Sequence, residues 1–427
     1  MMDFMEKARQ KALEKDAADS LARFRDRFYH IPGKIYMDGN SLGLAGKDAE
    51  GALLETLEEW KRLGIDGWLE GNPPWFHMGE TLGAIMAPLV GAEAQEVVMT
   101  GGTTINLHAL TSTFYNPREG RPKIVADELN FPSDIYALSS LLQLHGRDPK
   151  EDLLLVKSRD GRTLNEEDII ASFREDVGVV LLPGVLYRSG QLLDIPRLVR
   201  AAHERGIIIG FDCAHSAGSV PHHLSEDGVD FAFWCSYKHL NGGPGSPGFL
   251  YLNKRHFPHS PGLAGWFGYV KEKQFQMNLQ FEHSRSAGGW QIGTPSVFSG
   301  AALKGALKVF TEAGIEPVRD KSLELTDYLM ELVDGELAPL GYAVGTPREH
   351  SRRGGHVAVE HEEAWRICSA LKKRGIVPDF RPPRVIRIAP VALYNSYEEV
   401  WEVAKALKEI VISREYEKFS KTPAAVS

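Results

Sequence analysis

The sequence predicts an α/β fold: a large domain on a mostly parallel central sheet, with a smaller C-terminal α+β domain. Between residues 95 and 235, short β-rich runs alternate with helical stretches, which is typical of parallel sheets with helical crossovers. These runs are apolar on both faces, like strands covered by helices on both sides. After residue 300 the chain becomes helical, and strand-like runs then alternate with helices. We therefore expect an N-terminal helical arm that contributes to the small domain (1–65), a large domain (66–300) and a small domain (301–427).

The predicted elements follow from apolar spacing and from turn residues. In the arm we expect a helix over 3–28, a short strand running into a turn over 35–44, and a helix over 48–63 that ends at Gly64. The expected strands of the large domain are 96–100, 123–128, 152–158, 177–185, 206–213 and 229–235, with helices at 104–114, 133–144 and 196–205. Beyond them we expect a helical region at 298–336, strands at 354–360 and 384–390, and helices at 361–374 and 397–413.

Composition excludes several classes of protein. The 427 residues carry a net charge of −8 without a Lys/Arg block, so no nucleic-acid footprint is visible. Cys213, Cys235 and Cys368 are odd in number and widely spaced, which favours a reducing cytoplasm over a disulfide framework. The charged first 25 residues lack the apolar core of a signal peptide, and no apolar run reaches ~18 residues. We expect neither secretion nor a membrane span.

Two motifs fall at the carboxyl ends of predicted strands, where such sheets bind ligands. GGTTINLHAL (101–110) follows a strand and opens a helix, so its backbone N–H groups and the hydroxyls of Thr103 and Thr104 would bind an anion. A threonine-capped helix without a ligand would give the same pattern. FDCAH (211–215) ends an apolar strand with Asp212 and His215. A carboxylate there either faces a cationic ring nitrogen or caps the next helix.

A lysine follows the next apolar strand. Lys238 lies in SYKHLNGGPGSPGFLYL (236–252), and a lysine beside a buried strand end is unusual unless it is paired or functional. A desolvated amine is suited to condense with an aldehyde, although a lysine that merely extends past a loop would look similar. A phosphate cradle, a carboxylate and, 26 residues further on, a lysine are together what pyridoxal 5'-phosphate (PLP) requires.

Seven sequence blocks extend this interpretation over most of the chain. They are DGNSLGL (38–44), TTINLHAL (103–110), FPSDIYA (131–137), FDCAHSAGSVP (211–221), YKHLNGGPGSPGFLY (237–251), GWFG (265–268) and IRIAPVALYNS (386–396). In this order they resemble the kynureninases, which are PLP-dependent hydrolases of fold type I. The resemblance implies a PLP-dependent transferase-like fold and a cytoplasmic homodimer whose subunits share active sites.

The resemblance implies a role for each matching position. Lys238 would form the Schiff base with the cofactor, and Tyr237 would bind phosphate and act as an acid. Phe131 would stack on the pyridine ring, although plain core packing is the alternative for that side chain. The implied cofactor-binding residues are Thr103, Thr104, Phe131, Asp134, Asp212, His215, Tyr237, Lys238, Trp266 and Thr294.

The resemblance also implies how a substrate would bind. Arg387 would clamp its α-carboxylate, a task that suits the bidentate guanidinium group, unless it is only a surface arginine. Trp68 and Gly293 would contact the substrate, and Trp266 and Thr294 would come from the neighbouring subunit. Trp68 stands where the animal enzymes have a histidine, Gly293 and Thr294 where they have Ser-Asn, and Pro183 where a serine is frequent. These departures resemble the bacterial variety, which prefers kynurenine to its 3-hydroxy form.

The implied reaction is hydrolysis of the Cβ–Cγ bond of L-kynurenine to anthranilate and L-alanine, a step of the kynurenine pathway of tryptophan catabolism and NAD biosynthesis. 3-Hydroxykynurenine is a second candidate substrate. Retro-Claisen cleavage would follow removal of the Cα proton by Lys238, with Tyr237 as proton donor to Cβ.

Other functions remain alternatives. A cysteine desulfurase or selenocysteine lyase of the same fold needs a reactive thiol on a mobile loop, and none of the cysteines fits. An aminotransferase would use the same cofactor, and a cofactor-free binding protein would need neither Lys238 nor Asp212. His215, His222 and His223 lack a dependable zinc-ligand spacing, so we expect no metal, and no P-loop motif occurs.

Overall fold

The structure is a computed structural model that describes residues 4–117 and 120–422. The helices are α1 (Phe4–Ala17), α2 (Lys47–Leu63), α3 (Gly67–Glu70), α4 (Met78–Met86), α5 (Thr103–Phe114), α6 (Pro132–Leu144), α7 (Pro149–Asp152), α8 (Glu166–Ala171), α9 (Ile195–His203), α10 (Val297–Ala313), α11 (Ile315–Leu332), α12 (Ala364–Lys373) and α13 (Tyr397–Ile412). The strands are β1 (Ile35–Tyr36), β2 (Val97–Met99), β3 (Lys123–Asp127), β4 (Leu153–Val156), β5 (Val177–Pro183), β6 (Ile208–Asp212), β7 (Phe231–Cys235), β8 (Gly248–Leu252), β9 (Ala343–Val344), β10 (Val357–Glu360), β11 (Ile376–Val377), β12 (Asp379–Arg381) and β13 (Val385–Ile388).

The central sheet has seven strands in the order β2-β8-β7-β6-β5-β3-β4. All neighbouring pairs from β7 to β4 are parallel, whereas β8 runs antiparallel to both of its neighbours. The carboxyl ends of β3, β5, β6 and β7 therefore meet at one edge of the sheet, which we call the carboxyl edge. The opposite edge is called the amino edge.

Both faces of this sheet are covered, as the apolar runs predict. Along β5, Val179 and Leu181 belong to one hydrophobic cluster, and Val180 and Leu182 belong to the other. Successive side chains of a strand point to opposite faces, so the run is apolar throughout because each face packs on helices. All four side chains are fully buried, and each contributes on the order of 1.5–3 kcal/mol to folding.

The second sheet is antiparallel, in the order β12-β13-β10-β9. Its register places Arg387 of β13 opposite Ala358 of β10 and Asp379 of β12. The N-terminal segment joins this part of the chain, because β1 pairs with β11 and the Trp401 indole donates to the Met5 carbonyl at 2.9 Å.

The predicted fold class is confirmed, but some predicted elements are wrong. The helix expected over 3–28 ends at Ala17, and a separate 3₁₀ turn covers 22–27. Tertiary contacts break it: Asp16 accepts from the first N–H groups of α13, and Asp19 forms a buried ion pair with Lys321 at 2.7 Å. Strand β8 was not predicted, because its sequence lies within a stretch interpreted as a loop. The domain limits 1–65, 66–300 and 301–427 stay a prediction.

Candidate active site

A cavity of about 380 Å³ opens at the carboxyl edge of the central sheet. The position is the expected one for a ligand in a doubly wound sheet. Eight predicted site residues line it together: Thr103, Thr104, Phe131, Asp134, Asp212, His215, Tyr237 and Lys238. The cavity also has Pro183 in its wall, where the resemblance leads one to expect a serine.

One end of the cavity is built to hold an anion. Helix α5 begins at Thr103, and its N-cap residue Gly102 offers no side-chain cap, so the first backbone N–H groups remain available. The Thr104 hydroxyl hydrogen-bonds the Ser133 hydroxyl at 2.7 Å. Gly101 has φ of +52°, and a Cβ there would lie 2.6 Å from the Asn106 amide oxygen. A side chain at this position would therefore disturb the cradle.

Two buried carboxyl groups lie at the other end. A side-chain hydrogen bond joins Asp134 and Asp212, and Asp212 also accepts from the Ala214 backbone N–H at 2.8 Å. Burial, and then the charge of Asp212, hold the pKa of Asp134 well above its usual range, so Asp134 carries the shared proton. Within the described residues, one buried oxygen of Asp134 accepts no hydrogen bond from an N–H or hydroxyl group. A protonated ring nitrogen fits this acidic end.

The amine of Lys238 lies 2.8 Å from Nε2 of His215. Burial and then the neighbouring Lys238 charge lower the pKa of His215 well below its usual range, so the imidazole is neutral and Nε2 accepts from the amine. The segment 38–44 packs behind the lysine: the Gly43 N–H donates to the Tyr237 carbonyl at 2.8 Å. A Cβ on Gly43 would lie 2.7 Å from the Lys238 carbonyl oxygen. This close approach explains a glycine in the first sequence block.

Two aromatic side chains differ in their surroundings. Tyr237 is half-buried, and burial followed by the nearby Cys235 raises the pKa of its phenol, so the hydroxyl keeps its proton. Phe131 is 43% exposed, and its ring lies edge-on to Tyr187 with centroids 5.4 Å apart. This exposure disfavours plain core packing and leaves the face of Phe131 available to a planar ligand.

Arg387 lies behind the cavity wall. Its guanidinium group is buried and donates to the Tyr187 carbonyl at 2.7 Å and to the Ser41 hydroxyl at 2.8 Å. It also pairs with Asp379 at 2.6 Å. Burial lowers the pKa of Arg387 to about 10, so the group remains charged at neutral pH. The alternative of a surface arginine is therefore wrong.

Besides Arg387, four predicted site residues lie outside this cavity. Trp68 packs against Trp75 and Phe267, with ring centroids 5.9 and 6.3 Å away, and none of Trp68, Trp266, Gly293 or Thr294 lines the cavity. Trp266 is 43% exposed, and Gly293 and Thr294 are exposed as well. Their assignment to a shared site stays a prediction.

Sequence reasoning missed Ser133, Tyr187 and Ser41. Tyr187 follows strand β5, so the rule that ligands bind beyond the carboxyl ends of strands could have found it. Ser133 lies between Phe131 and Asp134, in a block that was singled out for its neighbours. Ser41 lies in the block 38–44, but nothing local indicates its contact with Arg387, which is 346 positions away.

The surroundings of the cysteines disfavour a cysteine desulfurase. All three cysteines are buried, and burial raises the pKa of Cys213 to about 12, which disfavours the reactive thiolate of a desulfurase. Among residues 4–117 and 120–422, no group of three or more His, Cys, Asp or Glu side chains could hold a metal ion. None of the helices in these ranges is long and apolar enough to cross a membrane.

Comparisons with known proteins agree with this geometry. The structure is similar to the apo cysteine desulfurase of Thermococcus onnurineus NA1, with a TM-score of 0.77 and 20% identity over 92% of this chain and 98% of that one. It is also similar to a C-DES variant with glycine covalently linked to its PLP cofactor, with a TM-score of 0.78 and 15% identity over 90% and 99% of the two chains. At these identities the likeness shows the fold alone.

Sequence comparisons are more specific. A family profile described as the kynureninase C-terminal domain matches residues 318–407. The kynureninase of Geobacillus thermodenitrificans is 58% identical over 409 residues, and that of Shouchella clausii is 55% identical over 411 residues; each alignment covers 96% of both chains. This chain belongs to the kynureninase family.

Proposed function

We propose that this protein is a PLP-dependent hydrolase that cleaves the Cβ–Cγ bond of L-kynurenine to give anthranilate and L-alanine. The observation that carries the proposal is one cavity in which the Lys238 amine, the Asp134–Asp212 pair and the N-terminus of α5 all meet. Membership of the kynureninase family indicates the class of reaction. The side chains that line the cavity are of the types that this reaction needs.

The residues present fit the cofactor. The phosphate would bind at the N-terminus of α5 beside Thr103 and Thr104, where no side chain caps the first N–H groups, and the buried acid pair Asp134–Asp212 suits a protonated ring nitrogen. Asp212 would hold the pyridine nitrogen, and Phe131 would cover the ring. When bound, PLP supplies an aldehyde that condenses with amines and a protonated ring that accepts electrons from Cα of the amino acid.

Lys238 and His215 handle the first proton. The neutral His215 imidazole accepts a hydrogen bond from the amine and fixes its direction. A lysine amine held in this way is available to take the proton from Cα of the substrate. Asp134 carries the proton shared with Asp212, which leaves Asp212 able to act as the anion that a ring cation needs.

Tyr237 is our candidate for the last proton transfer. Its raised pKa keeps the phenol protonated, as a donor to the Cβ carbon must be before it acts. It lines the cavity next to Lys238, so both proton carriers reach the same space. Phosphate bound near the phenol would accept its hydrogen bond and set its direction.

Arg387 is the proposed partner of the substrate carboxylate. It is held by the Tyr187 carbonyl, the Ser41 hydroxyl and the Asp379 carboxylate, so little side-chain freedom is lost when an anion binds, and that anion would replace one of these partners. An arginine fork binds a carboxylate through two parallel hydrogen bonds, which fixes the α-amino acid group relative to Lys238.

We infer that the active protein is a cytoplasmic homodimer with shared sites. Trp266, Gly293 and Thr294 are exposed in the single chain, as residues that reach a partner's cavity would be. The ring of Phe275 lies 6.0 Å from that of Trp266, and Phe275, Met277 and Leu279 are each at least 66% exposed, as apolar side chains at an interface would be in the single chain. The preference for kynurenine over 3-hydroxykynurenine rests on Trp68 and stays a prediction, as does a role in tryptophan catabolism.

The direct test is turnover. The purified protein, reconstituted with PLP, should convert L-kynurenine to fluorescent anthranilate and an equal amount of L-alanine. 3-Hydroxykynurenine, cysteine with sulfide detection, and 2-oxoglutarate as an amino acceptor are assayed in parallel. Sulfide release or amino transfer without anthranilate would overturn the proposed function.

A further inference from the structure

His356 is a fully buried imidazole that the proposed chemistry does not use. It directly precedes strand β10; its ring approaches the Arg188 backbone, but neither ring nitrogen makes a well-formed hydrogen bond within the residues that the structure describes. It does not line the cavity. A polar side chain buried in this way calls for an explanation other than direct contact with a substrate.

One face of His356 meets the residue that contacts the reactive amine. The rings of His356 and His215 lie edge to face, with centroids 6.0 Å apart and planes 66° apart. His215 in turn holds the Lys238 amine at 2.8 Å. The orientation of His215 therefore depends on the position of His356, because close-packed interiors leave a ring little freedom to tilt.

His356 also packs against the turn 187–190, which holds Arg387, the proposed partner of the substrate carboxylate. A Cβ placed on Gly190 would lie 2.9 Å from the His356 carbonyl oxygen and 3.2 Å from its Nε2. Gly190 has φ of +75°, and it belongs to the same short turn as Tyr187, whose carbonyl accepts from Arg387. The His356 imidazole thus packs between His215, which contacts Lys238, and the turn that contains Tyr187, which contacts Arg387.

The segment that carries His356 is held firmly. Arg319 donates to the carbonyls of His350 and Arg353 at 2.7 and 2.8 Å, and Gly354 N–H donates to the Gly190 carbonyl at 2.8 Å. The two Arg319 bonds fix the segment within the C-terminal part of the chain, and the Gly354–Gly190 bond ties it to the loop after β5. Because its segment is held in place, His356 can fix the distance between His215 and the turn that contains Tyr187.

We propose that His356 is a positioning residue that sets the spacing between the Lys238 amine and the Arg387 guanidinium, and so selects ligands that carry an α-amino acid group. The inference rests on the proposed function and deepens it. In such a ligand the amino group would take the place of the Lys238 amine on the cofactor while the carboxylate pairs with Arg387, so both ends are accommodated only when the two protein groups are correctly spaced. Loss of a well-formed hydrogen bond to a charged group costs about 10- to 100-fold in affinity.

His356 does this work as an uncharged ring. Burial, and then the charge of Arg387, hold the pKa of His356 well below its usual range. A neutral amide of similar reach should therefore replace it better than a truncated side chain.

The test compares His356→Ala and His356→Gln with the wild-type holoenzyme. The probes are L-alanine, which carries both α-substituents, and anthranilate, which carries neither; binding is measured by calorimetry. His356→Ala should weaken L-alanine binding and raise KM for L-kynurenine by about 10- to 100-fold, with kcat less affected and anthranilate binding unchanged. His356→Gln should recover most of the loss.

Two further variants separate positioning from general damage. His222→Ala removes another buried imidazole, outside the cavity, and should leave the binding of both probes as in the wild type. Gly190→Ala, which forces a Cβ against His356, should reproduce the selective loss of L-alanine. If His356→Ala binds L-alanine normally, or loses both probes equally, the inference is wrong. If wild-type protein does not hydrolyse L-kynurenine, the proposed function fails instead.

Discussion

Two buried aspartates on neighbouring strands have opposite electrostatics. Asp230 precedes β7 at the amino edge of the central sheet, where it accepts from His203 at 2.9 Å and from His256 at 2.7 Å and also pairs with Arg255. These partners hold the pKa of Asp230 well below its usual range despite its burial. Asp212 ends β6 at the carboxyl edge, where its side-chain partner is another acid, and burial raises its pKa.

The difference separates a structural site from a ligand site. At the amino edge the protein itself neutralises the buried charge, so the cluster is complete. At the carboxyl edge the charge of Lys238 offsets the burial of the two acids only in part, so the pKa of both stays raised, and a cation that enters the cavity would stabilise the pair. Changes at the carboxyl edge should therefore reduce turnover, and changes at the amino edge should reduce stability.

Lys238→Ala should have the largest effect. Loss of the amine removes both the covalent partner of the cofactor and the base for Cα, so anthranilate formation should fall by about 10³-fold or more. The melting temperature should change little. The matched control is Lys254→Ala, an exposed lysine after β8 at the amino edge, which should keep its activity. Equal losses in the two variants would remove the distinction between the edges.

Arg387→Ala should come next. A charged hydrogen-bonded partner of the carboxylate is removed, so kcat/KM for L-kynurenine should fall by about 10- to 100-fold. Arg387→Lys keeps the charge and loses the fork, and should recover only part of this. Arg384→Ala, in an exposed arginine three positions earlier, serves as the control. A change within about twofold for Arg387→Ala would show that the carboxylate binds elsewhere.

The two aspartates can be compared directly through Asp212→Asn and Asp230→Asn. Asp230→Asn removes the buried carboxylate that His203, His256 and the part-exposed Arg255 share, so the free energy of unfolding should fall by about 2 kcal/mol while kcat at permissive temperature is retained. Asp212→Asn should lower kcat about 10- to 100-fold with little loss of stability. Denaturant unfolding and steady-state kinetics measure the two effects. The reverse pattern would exchange the roles assigned to the two edges.

The smallest expected effect concerns how stability depends on pH: Asp230 stabilises the fold at neutral pH, whereas Asp134 destabilises it. The lowered pKa of Asp230 contributes stability above the unfolded value of ~4 that is lost as pH falls through the folded value. The difference in melting temperature between the wild type and Asp230→Asn should therefore narrow below about pH 4. Asp134 has a raised pKa, so in the cofactor-free protein Asp134→Asn should be the more stable form at neutral pH, and this gap should also close towards about pH 4. Melting temperatures across pH provide the check.

Sequence patterns predicted the parts of the molecule that are locally encoded. Apolar runs predicted β3, β5, β6 and β7, because strands covered on both faces leave that signature. The rule for strand ends then placed the Asp212 and Lys238 motifs at one edge, and the structure brings them to one cavity.

The remainder depends on contacts between distant segments. The helix expected over 3–28 breaks because Asp16 and Asp19 bind residues more than 300 positions away. The anchoring of Arg387 by a backbone carbonyl carries no side-chain signal at Tyr187, and the packing of His356 on Gly190 carries none at either position. Trp68 shows the converse: the family resemblance singled out the residue outside any of the seven blocks, and the single chain does not bring it to the cavity.

The most direct test of the central claim is to find which lysine binds the cofactor. PLP is added to the purified protein, the product is reduced with borohydride, and the peptides are mapped by mass spectrometry. The account predicts a stoichiometric label on Lys238 that is absent from Lys238→Ala. A stoichiometric label on another lysine, or full activity in a protein unlabelled at Lys238, would contradict it.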